Sequence, residues 1–131
     1  MKTIVALVGC LVGLTMFTGC FSKSAVPPMD VRVTVAPNLC GDAYVTDVRC
    51  EKVGGSDFLT LQANLVSLCD DKPVAVDWRV QWLDESGIEI DSVVSSWNSV
   101  MLQPCELRGL KSTAPRADAA DMRIYVRRAN R

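Results

Sequence analysis

Apolar and polar residues alternate one by one along most of the chain beyond Asp30, which is the periodicity of β-strands. The run over residues 74–83 shows this most clearly, because Val or Trp stands at every second position. Clusters of Gly, Asp, Ser and Pro separate the runs and predict turns. The predicted strands contain Val31, Val33 and Val35; residues 44–53; 58–68; 74–83; Ile88 and Ile90; Val100 and Leu102; 106–110; and Met122, Ile124 and Val126.

About seven short strands in roughly a hundred residues predict an all-β fold, an immunoglobulin-like antiparallel β-sandwich. Only residues 114–121 could hold a short helical turn, and the lack of longer helices disfavours a doubly wound nucleotide-binding fold. We therefore predict one sandwich domain over residues 30–131, preceded by a signal peptide over residues 1–19 and a tether over residues 20–29.

The first residues have the pattern of an export signal. Lys2 precedes an apolar run over residues 4–17, which is too short to stay in a bilayer as a span. The run ends at Thr18-Gly19-Cys20, which resembles a bacterial lipoprotein signal, so we expect Cys20 to become the lipidated first residue of the mature protein. The alternatives are a plain secretory signal and an N-terminal transmembrane anchor. Cys10 lies in a second lipidation box, but cleavage there would leave too short an apolar region.

The segment after the lipidation site predicts where the protein resides. Pro27-Pro28 favours an extended, semi-stiff tether. Phe21 is not the Asp that retains enterobacterial lipoproteins at the inner membrane. We therefore expect a lipid anchor on the periplasmic side of the outer membrane.

The charged residues and the missing histidine argue against several classes of function. Lys and Arg number 14 and Asp and Glu 15, for a net charge of −1, so we expect no nucleic-acid partner. The chain has no histidine, the usual general base and the commonest metal ligand. We expect no catalytic site, no cofactor and no metal site. The weaker alternatives are a carboxylate pair of Asp77 and Asp91, and calcium at the acidic turns of residues 70–71 and 84–85.

Four cysteines follow Cys20, and an even number in an exported chain predicts disulfides. Three pairings are possible, and a zinc site is the competing interpretation. In an immunoglobulin-like sandwich the second and fifth strands are antiparallel neighbours. If residues 58–68 and 106–110 take those places, Cys69 and Cys105 meet at one end of the sheet, and Cys40 and Cys50 remain to close a small loop.

The central strand and its turn resemble a known family. Lys72-Pro73-Val74, followed by residues 78–87 with the sequence WRVQWLDESG, is similar to the central motif of the YcfL family of predicted periplasmic lipoproteins. Trp97, the run over residues 100–104 and the last strand over residues 121–126 are similar to later parts of that family's pattern. The resemblance implies a lipid-anchored sandwich domain facing the periplasm. It implies no catalytic or binding residues, because the family has no established activity.

Three tryptophans are the candidate binding residues. Trp78 and Trp82 lie on the apolar face of their strand and are expected in the core; the alternative is a platform for stacking sugars. Trp97 stands among polar residues and is the best candidate for contact with a partner, since binding hot spots favour Trp and Arg. Arg79, on the opposite face of the central strand, is its expected neighbour, and the alternative is a salt bridge from Arg79 to a cross-strand carboxylate such as Asp91.

These features predict a binding or structural module of the cell envelope that contacts another envelope protein. The alternatives are a domain that binds a small ligand or glycan, and an accessory lipoprotein of a secretion or cell-wall machinery.

Overall fold

The computed structural model describes residues 28–130. The predicted signal peptide, Cys20 and most of the predicted tether lie outside the described residues. No helix in the described range is long and apolar enough to cross a bilayer. The elements are β1 (Val33–Val35), β2 (Ala43–Lys52), β3 (Leu59–Ser67), β4 (Val74–Asp84), a 3-10 helix (Val93–Ser95), β5 (Asn98–Leu102), β6 (Leu107–Thr113) and β7 (Ala119–Arg128).

The seven strands form two sheets. The larger sheet has the order β1-β7-β4-β5 and the smaller one the order β2-β3-β6. β3 pairs with β6 and β4 with β7, both antiparallel, as strands B and E and strands C and F pair in immunoglobulin-like sandwiches. The predicted β-sandwich is confirmed, including the placing of β3 and β6 side by side. One pairing departs from the antiparallel prediction, because β1 runs parallel to β7.

The strand alternation places one face of each sheet in the core. On β4 the Val and Trp positions are buried and the intervening side chains are only partly so. Trp82 is fully buried and Trp78 is 9% exposed, which confirms that both rings belong to the core. The alternative of a sugar-stacking platform on these two rings is wrong, because neither ring presents a face to solvent. Full burial of a large apolar side chain contributes about 1.5–3 kcal/mol.

The expected strand at Ile88 and Ile90 is wrong. The Asp84 carboxylate accepts hydrogen bonds from the backbone N–H groups of Ser86 and Ile88, at 2.9 and 3.0 Å, and so closes a tight turn. Only an isolated bridge between Leu83 and Glu89 follows. The chain then leaves the sheet through the 3-10 helix and returns as β5, which pairs with the first half of β4, residues 74–78.

Residues 114–121, which could hold a short helical turn at most, contain no helix. Residues 115–118 form a turn, whose tip carries an ion pair between Arg116 and Asp118, and β7 begins at Ala119. Ala114 and Ala119 are both buried and pack in the core. Burial of these two small side chains on either side of the turn therefore outweighs the helix propensity of the alanines.

Candidate functional site

The outward face of the larger sheet carries the candidate binding residues. Arg79 on β4 lies directly opposite Tyr125 on β7, and Asp77 lies opposite Arg127. Directly opposed residues on one face of an antiparallel pair are about 4.5–5.5 Å apart at their Cβ atoms. The register therefore brings two arginines, a tyrosine and an aspartate into one patch on the outward face of the sheet. The side chains at the alternate positions point inward and belong to the core.

Trp97 lies over this patch and contacts both arginines. The Arg127 Cζ is 3.9 Å from the centre of a Trp97 ring, and the Arg79 Cζ is 5.6 Å from it. Arg79 also stacks on Tyr125, with its Cζ 5.3 Å from the ring centre. These distances are within the range of cation–π contacts, about 6 Å. We call Arg79, Trp97, Tyr125 and Arg127 the arginine–aromatic cluster.

Trp97 remains 38% exposed, so the cluster presents an aromatic surface to solvent. The structure thus places Arg79 beside Trp97, as the sequence suggested. Tyr125 and Arg127 were not among the predicted site residues. The alternation of the last strand contained the signal, because it places both side chains on the face opposite Met122, Ile124 and Val126.

Carboxylates accompany both arginines. Asp77 Oδ2 lies 3.6 Å from Arg127 Nε, and Asp77 Oδ1 accepts a hydrogen bond from Ser99 Oγ at 2.5 Å. Glu89 Oε1 lies 3.8 Å from Arg79 Nη2. Arg79 therefore does pair with a carboxylate from the segment that returns beside β4, as the alternative predicted. The partner is Glu89 and not Asp91, because Glu89 forms the bridge to β4 and the chain has left the sheet by position 91.

Two further hydrogen bonds extend the cluster along the sheet. Gln81 Nε2 donates to Glu89 Oε2 at 2.9 Å, and the Tyr125 hydroxyl donates to Gln81 Oε1 at 3.0 Å. Tyr125 is held in position by this chain of contacts, and it in turn supports the guanidinium of Arg79. The cluster is thus fixed from both of the central strands of the sheet.

The arginines of the cluster keep hydrogen-bonding capacity for a ligand. Both ion pairs exceed ordinary hydrogen-bond length, and the Arg79 and Arg127 side chains are 29% and 40% exposed, so their accessible donors can still reach a ligand. Arg127 Nε is itself buried and has no hydrogen-bond acceptor within residues 28–130, so it is not one of these donors. A guanidinium presents five donors in a planar fork that matches carboxylates. A partner that combines an apolar contact on Trp97 with a carboxylate beside Arg79 or Arg127 would fit this surface.

No disulfide joins the four cysteines of the described range, and the strand register argues against the expected pairing of Cys40 with Cys50. Cys40 precedes β2, at the end where Ala43 pairs with Ser67, whereas Cys50 pairs with Leu61 towards the other end. About 20 Å separates the two ends of such a strand segment. Burial raises the pKa of the Cys50 thiol, an effect that Arg32 partly offsets.

Cys69 and Cys105, by contrast, are neighbours. The Cys105 N–H donates to the Cys69 carbonyl at 2.9 Å, so the two residues meet at one end of the smaller sheet as the topology predicted. Their sulfurs are not joined, and the disulfide between them stays a prediction. Within residues 28–130 no three Cys, Asp or Glu side chains lie together as a metal site would require.

The smaller sheet carries a shallow polar groove of about 630 Å³ on its outward face. Asn64 on β3 lines it and donates from Nδ2 to Asp47 Oδ2 at 3.1 Å. Asp47 lies in an irregularity of β2, where the register with β3 shifts and its own φ is 54°. Arg49 and Lys111 contribute positive charge from the two neighbouring strands. Neither Trp78 nor Trp82 lines this groove.

Comparison with known proteins shows similarity to one family. A family model described as "Protein of unknown function (DUF1425)" matches residues 33–128. A solved DUF1425 family member from Shewanella sp. pv-4 has a TM-score of 0.61 and 23% identity, with 70% of this chain and 82% of that chain covered. A solved structure of Campylobacter jejuni Cj0090 has a TM-score of 0.61 and 18% identity, with 75% and 98% covered. Both show likeness of fold. No protein with a curated description matches the sequence.

Proposed function

The chain belongs to the DUF1425 family of proteins of unknown function, and on that premise we propose that it is a non-catalytic binding module of the bacterial cell envelope. Its binding surface is the arginine–aromatic cluster, and its partner is another envelope protein that presents a carboxylate next to an apolar side chain. We also propose that it is a periplasmic lipoprotein of the YcfL type, which the similarity of residues 78–87 to the central motif of that family supports.

The observation that carries this proposal is the exposed stack of Trp97 on Arg127, at 3.9 Å. Trp and Arg are the residues most enriched at the centre of protein interfaces. In a domain whose other two tryptophans are in the core, an aromatic ring held on two arginines at the surface is poorly explained by folding alone. A binding role explains this arrangement directly, because a partner would contact both the apolar ring of Trp97 and the charged guanidinium groups.

An N-terminal lipid on Cys20 would hold this surface near the membrane. The apolar run over residues 4–17 and the small residues before Cys20 support the anchor, and Phe21 supports the outer membrane. Intact-mass measurement tests this part. We expect a mature chain that begins at an acylated Cys20; loss of the lipid in Cys20→Ser but not in Cys10→Ser supports the assignment, and an unacylated mature terminus contradicts it.

Site-specific photo-crosslinking tests the binding surface in the lipidated protein. An aromatic photo-crosslinking residue such as benzoylphenylalanine replaces Trp97 in one variant, so that an apolar ring remains beside Arg127, and it replaces Lys111, on the opposite sheet, in a matched control. We expect one envelope protein to be captured from position 97 and not from position 111. Arg127→Ala in the first variant should reduce that capture at least fivefold. Equal capture from both positions, or capture unaffected by Arg127→Ala, contradicts the proposal.

The polar groove favours a second candidate function, binding of a small polar ligand such as an amino sugar. Its side chains supply amide donors, a carboxylate and two cations around a concave surface. Titration calorimetry with N-acetylglucosamine oligomers measures this directly, with Asn64→Ala as the groove variant and Trp97→Ala as the control on the other sheet. Binding that is lost only in Asn64→Ala supports the groove; no heat with either the wild type or the control contradicts it.

A further inference from the structure

Cys105 lies at a position of its turn where glycine is favoured. Residues 103–106 form the turn between β5 and β6, in which the Glu106 N–H donates to the Gln103 carbonyl at 3.1 Å. Pro104 takes the second position and Cys105, with φ 57°, takes the third. This is the pattern of a type II turn, whose third residue is usually Gly or Asn. A thiol at such a position has a conformational cost, which suggests that the side chain itself is used.

The turn is firmly held, so the position of the thiol is well defined. The Glu106 carboxylate accepts a hydrogen bond from the Gln103 backbone N–H at 2.6 Å and pairs with Arg108 at 2.7 Å. These contacts, the backbone hydrogen bond first, lower the pKa of Glu106. Glu106 therefore stays ionised and keeps the turn closed at neutral pH.

Cys69 lies within disulfide reach of Cys105. The 2.9 Å hydrogen bond from the Cys105 N–H to the Cys69 carbonyl, with fixed covalent geometry on either side, limits the two Cα atoms to a separation of at most about 6.8 Å. Disulfides span Cα separations of about 4.4–6.8 Å. Cys50 lies at the other end of the sandwich, so Cys40 is the competing partner at this end.

We propose that Cys69 and Cys105 are an oxidation site and form a disulfide that ties the end of β3 to the turn before β6. The oxidant is a disulfide donor, either an oxidised thiol oxidoreductase or oxidised glutathione. The exposed Cys105 thiolate attacks the donor disulfide and releases one donor thiol. The Cys69 thiolate then attacks the Cys105 sulfur of the mixed disulfide and releases the second thiol. Two protons and two electrons thus pass from the cysteines to the donor.

Oxidation of these cysteines in the cell rests on the export proposed above, whereas the question of which two cysteines pair does not. The pairing can therefore be tested on the purified full chain. Trypsin places the four cysteines beyond Cys20 on four different peptides, because it cleaves after Arg49, Lys52 and Arg79; Lys72 precedes Pro73 and is not cleaved. Cys10 and Cys20, where present, share the separate peptide over residues 3–23. Cys40, Cys50, Cys69 and Cys105 lie on the peptides over residues 33–49, 50–52, 53–79 and 80–108 respectively.

The experiment treats the reduced chain with oxidised glutathione, blocks remaining thiols, and maps the tryptic peptides without reduction. We expect peptides 53–79 and 80–108 to be joined, with the loss of two hydrogens, in the wild type and in Cys40→Ser and Cys50→Ser. The joined species should disappear in Cys69→Ser and in Cys105→Ser. Joining of peptide 33–49 to either peptide, or blocked thiols at both Cys69 and Cys105, overturns the proposal.

These results are separate from those that test the binding surface. Cys105→Ser removes the bridge but leaves the arginine–aromatic cluster, which lies on the other sheet, in place. Photo-capture from position 97 should therefore persist in Cys105→Ser within a factor of two. A correct pairing with no captured partner refutes only the proposed function, and a captured partner with free thiols refutes only the bridge.

Discussion

Trp82 and Trp97 offer a direct test of the division between core and binding surface. Trp82 is fully buried on β4, so Trp82→Ala removes a large side chain and leaves a cavity, at a cost of about 3–5 kcal/mol. Trp97 is already 38% exposed, and solvent would fill the space it leaves. We expect Trp97→Ala to cost about 1–2 kcal/mol, of which each exposed cation–π contact contributes about 0.5–1 kcal/mol.

Urea unfolding followed by far-ultraviolet circular dichroism measures both free energies. A domain of this kind has a total stability of about 5–15 kcal/mol, so Trp82→Ala should be close to unfolding, whereas Trp97→Ala should stay folded. The slope with urea should be unchanged in Trp97→Ala, because the same surface is exposed on unfolding. If Trp97→Ala costs as much as Trp82→Ala, Trp97 is a core residue and its use as a binding surface is refuted.

Three further predictions concern stability. The proposed bridge from Cys69 to Cys105 closes a loop of about 36 residues, so by loop entropy the oxidised protein should be about 4 kcal/mol more stable than the reduced one in urea; equal midpoints would argue against it. In the reduced protein Cys105→Gly should stabilise by up to about 1 kcal/mol through relief of the positive φ, whereas Cys105→Ala should not, and equal effects would refute the strain. The hydrogen bond from Arg32 lowers the pKa of Asp30 from 3.8 to about 2, so its stabilisation is present above pH 3.8 and is lost as the pH falls towards 2. Asp30 is partly exposed, so Asp30→Asn should cost no more than about 1 kcal/mol at pH 7 and only a small fraction of that at pH 2 in thermal unfolding; an equal cost at both values would contradict the linkage.

Much of the fold was predictable because strand alternation is a local property of the chain. The alternation along β4 predicted which of its side chains face the core, and the pairing of β3 with β6 followed from the immunoglobulin-like type of sandwich. The parallel partner of β1 was not predictable, because its three residues alternate equally well beside either edge of a sheet. The alternation of Ile88 and Ile90 predicted a strand that does not form. Alternation could not show that the Asp84 carboxylate accepts hydrogen bonds from the backbone N–H groups of Ser86 and Ile88 in the turn.

The candidate site was predictable only in part. Trp97 and Arg79 were identified from their polar surroundings and strand face, but Tyr125 and Arg127 join them through the register of β4 with β7, which is a long-range property. The failed pairing of Cys40 with Cys50 has the same origin. Closeness in sequence suggested a loop, but β2 extends between the two thiols and carries them to opposite ends.

The parallel strand β1 also protects the protein from unwanted association. It pairs with residues 124–126 of the ten-residue strand β7, whose backbone groups there would otherwise be open to pairing with a foreign chain. Only three residues perform this task, and they come soon after the proposed tether. A truncation that begins past residue 36 would therefore expose a long sheet edge, and such a shortened protein should self-associate through that edge at concentrations where the intact one remains dispersed.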